Sequence, residues 1–150
     1  MEHRFIEYLY GTFSKLVEKY GFHKSTELID EQSYSVEYRS NNFVIKLEKY
    51  RREFYVTLYK TGYSNKGVNL FNLLKFLKKA SSDVPMSKYF KEEKDMEECY
   101  KKQLNYISNT IYDNFIAIND FFKSGNYESK LMDIEKFMLN KYPELFKRLD

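Results

Sequence analysis

Tyr34-Ser35-Val36-Glu37-Tyr38-Arg39-Ser40-Asn41-Asn42-Phe43-Val44-Ile45-Lys46-Leu47 decides the fold. Apolar and polar side chains alternate on either side of two asparagines, the period of strands with one buried face. Asn41-Asn42 stand where a two-residue hairpin calls for positive φ. If Ser40 faces Phe43, then Tyr38 faces Ile45 and Val36 faces Leu47 on one side, while Glu37 faces Lys46 and Arg39 faces Val44 on the other. A second turn at Arg51-Arg52 brings Leu47 against Val56 and Ile45 against Leu58. Glu48, Tyr55, Lys46, Thr57, Val44 and Tyr59 are left on the outward face. The spacing predicts a three-stranded antiparallel meander over residues 34 to 60.

Helical periods flank it. From His3 to Tyr20 the apolar residues Phe5, Ile6, Leu9, Phe13, Leu16, Val17 and Tyr20 recur at 3.6-residue spacing, and Gly21 then ends the helix as a left-handed cap followed by Phe22. Gly62 to Gly67 reads as a loop, with Val68 and Asn69 as staple and N-cap of a helix through Ala80. After the break at Ser81 to Pro85, a helical segment extends from about Ser87 to Lys123, with Leu104, Ile107, Ile111, Phe115, Ile118 and Phe122 inward. At full length it would measure about 55 Å in a chain with a radius of gyration of about 15 Å, and Glu93 and Glu97 fall on its core stripe. A bend or frayed start at Asp95 to Glu98 is therefore expected. Gly125-Asn126 turns the chain into a helix from Tyr127 to Lys141, and Pro143 opens a short last helix holding Leu145, Phe146 and Leu149. The fold class is α+β, a three-stranded antiparallel meander packed against helices in the order α-β-β-β-α-α-α-α.

Length and composition agree with one domain over residues 1–150. A chain of this size buries roughly 70% of its unfolded surface, and 43% apolar with 31% charged residues excludes a disordered or low-complexity chain. The longest apolar run is Phe115 to Ile118 and the N-terminus carries Glu2, Arg4 and Glu7, so neither a membrane span nor a secretory signal is expected. The single cysteine, Cys99, suits a reducing compartment, and a cytoplasmic location follows as the expectation. Net charge is +3, unevenly spread: residues 1 to 80 hold 14 basic and 9 acidic side chains, residues 81 to 150 hold 11 and 13.

Catalytic chemistry has little to work with. The two histidines, His3 and His23, and one cysteine offer no zinc-ligand spacing and a poor nucleophile–base pair. Phosphate-cradling glycine motifs and the nucleophile elbow are absent. Glu37, Glu48 and Glu53 share the outward face, each with basic or tyrosyl neighbours, and read as ordinary ionised surface groups. The acidic run Glu92 to Glu98 lacks the spacing of a calcium loop. No catalytic residue, metal site or cofactor is expected, and the chain is read as a non-enzyme.

The outward sheet face is the one constellation that suggests function. Arg39, Lys46, Tyr50, Tyr55 and Tyr59, with Arg51 and Arg52 at the turn, interleave cations and aromatic rings, as protein hot spots and nucleic-acid platforms both do. If this face binds a partner, Tyr55, Tyr59 and Arg52 are accessible. If it is covered, the tyrosines are packing and the candidate moves to Glu92 to Glu98.

A leading helix ending in Tyr20-Gly21-Phe22, the segments Val36-x-Tyr38-x-Ser40, Val44-Ile45-x-Leu47 and Phe54-Tyr55-Val56-x-Leu58, and the turn Tyr50-Arg51-Arg52 resemble small bacterial immunity proteins of contact-dependent and polymorphic toxin systems, over roughly residues 5 to 78. The resemblance implies a cytoplasmic, non-catalytic protein that blocks the active site of a toxin. Many nuclease inhibitors are acidic, and the charge of +3 departs from that. The expected function is a protein-binding module, an immunity-like inhibitor of a partner such as a toxin domain. The alternative is a weak nucleic-acid binder using the same basic, tyrosine-rich patch.

Overall fold

Phe5, Leu9, Phe13 and Leu16 form the buried stripe of α1 (Phe5–Tyr20) in the computed structural model, which describes residues 4–146. Gly21 takes φ of 74° and caps the helix by donating its N–H to the carbonyl of Val17, and Phe22 after it is buried with its ring edge-on to Phe43. Val17, expected on the stripe, is exposed.

The sheet has five antiparallel strands, not three, in the order of the chain: β1 (His23–Ile29), β2 (Ser33–Arg39), β3 (Phe43–Tyr50), β4 (Glu53–Lys60) and β5 (Gly67–Asn69). The inner register is the expected one, with Val36 opposite Leu47 opposite Val56 and Tyr38 opposite Ile45 opposite Leu58. β1 escapes a periodicity argument because both of its faces are largely exposed and a bulge between Lys24 and Thr26 breaks its alternation. β5 is only three residues long. Gly67 makes it possible, since a Cβ there would lie 2.5 Å from Thr57 Cγ2 and 3.2 Å from the Leu58 carbonyl.

The first hairpin turn also differs from expectation. Neither Asn41 nor Asn42 takes a positive φ. The Ser40 hydroxyl closes the turn instead, accepting from the Phe43 N–H at 3.3 Å and donating to the Phe43 carbonyl at 2.9 Å. At the second turn Arg51 does adopt a left-handed conformation, with φ of 57°.

Beyond the sheet, Asn69 caps α2 (Leu70–Leu77) as expected, its side chain accepting from the N–H groups of Phe71 and Asn72, although the helix ends before Ala80. The helical segment from Ser87 to Lys123 does not form at full length: it begins at Met96, within the stretch Asp95 to Glu98 where a bend or frayed start was expected, and it is broken once more at Asn114. Residues 81–95 are mostly irregular, Phe90 takes φ of 51°, and α3 (Met96–Asp113) starts where Asp95 accepts from the Glu98 N–H. Asn114 interrupts the helix, its side-chain amide donating to the Thr110 carbonyl, and α4 (Phe115–Lys123) continues the apolar stripe. α5 spans Tyr127–Lys141, and a 3-10 turn, Pro143–Phe146, stands where the last helix was expected; Leu149 lies outside the described residues.

Residues from all five helices meet one face of β2, β3 and β4 in a single hydrophobic cluster. Ile45, Leu47, Val56 and Leu58 meet Leu9, Phe13, Leu104, Ile107 and Ile111 there, the packing the sequence predicts. No helix is long and apolar enough to cross a membrane among the described residues.

The two edges of the sheet are treated differently. Along β4, β5 reaches only Thr57 to Tyr59. The remaining edge is closed by fully buried Gln103 of α3, which accepts from the Phe54 N–H at 3.0 Å and donates to the Arg52 carbonyl at 2.8 Å, as a neighbouring strand would. Gln103→Leu keeps the bulk but leaves both backbone groups without partners. It is expected to cost roughly 2 to 4 kcal/mol, read as a lower urea midpoint at unchanged slope. Among the described residues β1, in contrast, pairs with β2 alone and leaves its outer edge free.

Candidate functional site

Strand alternation sends Thr26 and Leu28 of β1, Ser33, Ser35, Glu37 and Arg39 of β2, Val44, Lys46, Glu48 and Tyr50 of β3, and Glu53, Tyr55, Thr57 and Tyr59 of β4 to the face opposite the helices. Most of these side chains are half-buried or exposed, and none belongs to the hydrophobic cluster. The face is open to solvent, bounded at the β3–β4 end by the segment around Tyr89 to Glu93.

Tyr50 is 54% exposed, and the Arg51 guanidinium lies 5.2 Å from its ring centre. Tyr55 is 38% exposed. Its hydroxyl donates to Glu53 Oε1 at 2.5 Å and its ring leans on Tyr89 at 5.9 Å. That hydrogen bond to a carboxylate, reinforced by burial, pushes the phenol up to about 12. These three residues, with Arg51 also exposed, gather at one end of the face.

The others fall elsewhere. Arg39 and Lys46 are half-buried on the same face, Lys46 in register between Glu37 and Thr57. Tyr59 is not accessible: it is 3% exposed. From β4 its hydroxyl reaches Glu37 Oε1 on β2 at 2.7 Å, which carries the ring across the intervening strand beside fully buried Val44. Burial, with the Glu37 carboxylate, pushes this phenol up to about 12. Arg52 is drawn off the face altogether. Its Nη2 donates to the Glu93 carbonyl at 3.0 Å and to Cys99 Sγ at 3.3 Å, fastening the β3–β4 turn to the start of α3.

Tyr59 is therefore a packing residue and Tyr55 is not. Tyr59→Ala is expected to lose about 3 kcal/mol of stability, the scale of a buried aromatic truncation, whereas Tyr55→Ala stays within about 1 kcal/mol. Thermal melting of the two variants checks this.

The acidic run does not take over as the site, because three of its five carboxylates are engaged. Glu93 meets Lys102 at 2.7 Å, Asp95 caps α3, and Glu98 faces Lys101 at 3.7 Å. Cys99 is buried against Arg52, Gln103 and the carbonyls of Tyr89 and Phe90, whereas His23 is exposed at the start of β1. The two do not form a dyad. Among the described residues no three His, Cys, Asp or Glu side chains gather as metal ligands.

The feature that sequence reasoning missed is a trough of about 570 Å³ beside Tyr50 and Tyr55, whose lining includes Leu28, Asp30, Ser35 and Glu48. Leu28, Ser35, Glu48 and Tyr55 form one row across four strands. Leu28 is 65% exposed and Ile29 is exposed beside it, two large apolar side chains at the free edge. The one available signal was Leu28-Ile29 followed by the polar turn Asp30-Glu31-Gln32, in which Asp30 N–H donates to the Ser33 carbonyl at 3.0 Å. The chain matches no family model, no curated protein and no solved structure.

Proposed function

We propose that this chain is a non-enzymatic protein-binding module, an immunity-like inhibitor acting in the cytoplasm on a protein partner, and that the open sheet face is its binding surface. The observation that carries this reading is the exposure of Leu28, Tyr50 and Tyr55 around one concave trough, on the face left uncovered by the chain's own helices. Exposed aromatic and aliphatic side chains around a concavity are what a partner desolvates for affinity. Strands tied by backbone hydrogen bonds hold them in place beforehand, which lowers the ordering cost of binding.

Nucleic acid is the less suitable partner. Arg39 and Lys46 share the face with Glu37, Glu48 and Glu53, and the phenols of Tyr55 and Tyr59 are committed to carboxylates. Phosphate would meet three carboxylates against those two cations. Arg52, counted among the cations in the sequence, is turned away.

A source strain lacking this chain is expected to lose viability in dense co-culture with its parent, and to be rescued by the wild-type chain but not by Leu28→Asp. Equal survival of the deleted strain overturns the inhibitor reading.

A further inference from the structure

The trough has a charge pattern that specifies more than a generic apolar contact. Glu48 stands within it, between Ser35 and Tyr55 in the cross-strand row and two residues from Tyr50 on the same side of β3. Neither row neighbour is a cation.

Other carboxylates of the sheet have partners. Glu37 accepts from Tyr59; Glu53 accepts from Tyr55 and faces Lys91 at 3.7 Å; Glu27, on the helix side, accepts from Tyr10, Tyr34 and Lys24. Glu48, half-buried, has no hydrogen-bond or ion-pair partner among the described residues. A second acid, Asp30, lines the trough near β1, and among the described residues its carboxylate binds only the Glu31 N–H of its own turn.

Lys46 shares the open face two residues from Glu48, in register between Glu37 and Thr57, and among the described residues no ion pair joins it to Glu48. Lys49 reaches to the helix side, its ammonium 5.4 Å from the Phe5 ring centre and 4.8 Å from that of Tyr100, and donates to the Arg51 carbonyl. Arg51, at the turn, holds its own guanidinium 5.2 Å from the Tyr50 ring centre.

We propose, building on the reading of this face as a protein-binding surface, that the trough receives an arginine side chain of the partner, its guanidinium on the Glu48 carboxylate and against the rings of Tyr50 and Tyr55. A partly desolvated carboxylate without a counter-charge attracts a cation more strongly than one in bulk water. Arginine suits the site better than lysine. Its planar fork makes two parallel bonds to a carboxylate, and its weakly hydrated plane stacks on phenol rings where an ammonium would keep its water. The trough volume of about 570 Å³ admits the long side chain, and the free edge of β1 leaves the Leu28 side open for the flanking main chain.

The test uses the isotope-labelled full chain and two tripeptides, acetyl-Gly-Arg-Gly-amide and its citrulline counterpart, which has nearly the same shape without the charge. The arginine peptide is expected to shift the amide resonances of Ser35, Glu48, Tyr50 and Tyr55 saturably at millimolar concentration, and the citrulline peptide is not. Glu48→Gln, with an unchanged melting temperature, is expected to weaken the arginine peptide about tenfold. Equal shifts from both peptides, no saturable shift, shifts mapping elsewhere, or full binding by Glu48→Gln each overturn the proposal. A partner protein lost by Leu28→Asp but held undiminished by Glu48→Gln would overturn the arginine inference and leave the protein-binding reading standing. One held by both variants would overturn both.

Discussion

Ile45→Asp is expected to leave no folded chain, while Lys46→Ser, one residue along the same strand, changes stability by no more than about 1 kcal/mol. Ile45 is fully buried between Tyr38 and Leu58 on the helix side of the sheet, and Lys46 is half-buried on the open side. A carboxylate placed at Ile45 has no partner, and burying it uncompensated costs several kcal/mol. That approaches the whole stability of a domain, about 5 to 15 kcal/mol. Urea denaturation followed by circular dichroism separates the two outcomes. Cooperative unfolding retained by Ile45→Asp would mean that the faces of the sheet are assigned the wrong way round.

A loss of comparable size is expected in alkali. Burial raises the phenol pKa of Tyr34, with the Glu27 carboxylate adding to it. Burial pushes Tyr38 up to about 12, and burial with the Glu37 carboxylate does the same for Tyr59. All three are almost fully inaccessible. In the unfolded chain a tyrosine ionises near pH 10. Above that pH the unfolded state releases protons that the folded state keeps, so stability falls as pH rises. Each such tyrosine contributes a slope of about 1.4 kcal/mol per pH unit and the three together about 4 kcal/mol per unit. The chain should be stable to about pH 10 and unfold cooperatively before about pH 12, with tyrosinate absorbance and loss of ellipticity rising together. Tyr38→Phe, which keeps the stacking on Phe13, should flatten the slope by about 1.4 kcal/mol per pH unit. Gradual ionisation with intact ellipticity would show these phenols to be solvent-accessible.

The hairpins of β2, β3 and β4 were legible because their two faces differ in chemistry. A shift of one residue would bury Glu37 and Lys46 and expose Val36 and Ile45, so only one register is consistent. β1 has no such contrast, being exposed on both faces, and β5 is a strand only through its contact with Thr57 to Tyr59. The trough was illegible for the same reason, since Leu28 joins the row of Ser35, Glu48 and Tyr55 only once β1 is in the sheet. Tyr59 shows the other limit. Alternation put it on the correct face, but its burial comes from a reach across β3 to Glu37 that periodicity does not encode. Arg52 likewise is turned away by contacts with the Glu93 carbonyl and Cys99, which no stripe encodes, although the glutamates on the stripe did mark Asp95 to Glu98 as the place where the helix starts.

The central claim is that the open face around Leu28, Tyr50 and Tyr55 binds a protein. Its most direct test is parallel affinity capture from the source cell with the tagged wild-type chain, the doubly substituted Leu28→Asp, Tyr50→Ala chain, and a control carrying Ile116→Asp at an exposed position of α4, all three matched in melting temperature. A protein retained by the wild type and the control but lost by the double variant is the expected result. A protein retained equally by all three, one lost only by the Ile116 variant, or none retained by any would contradict the account.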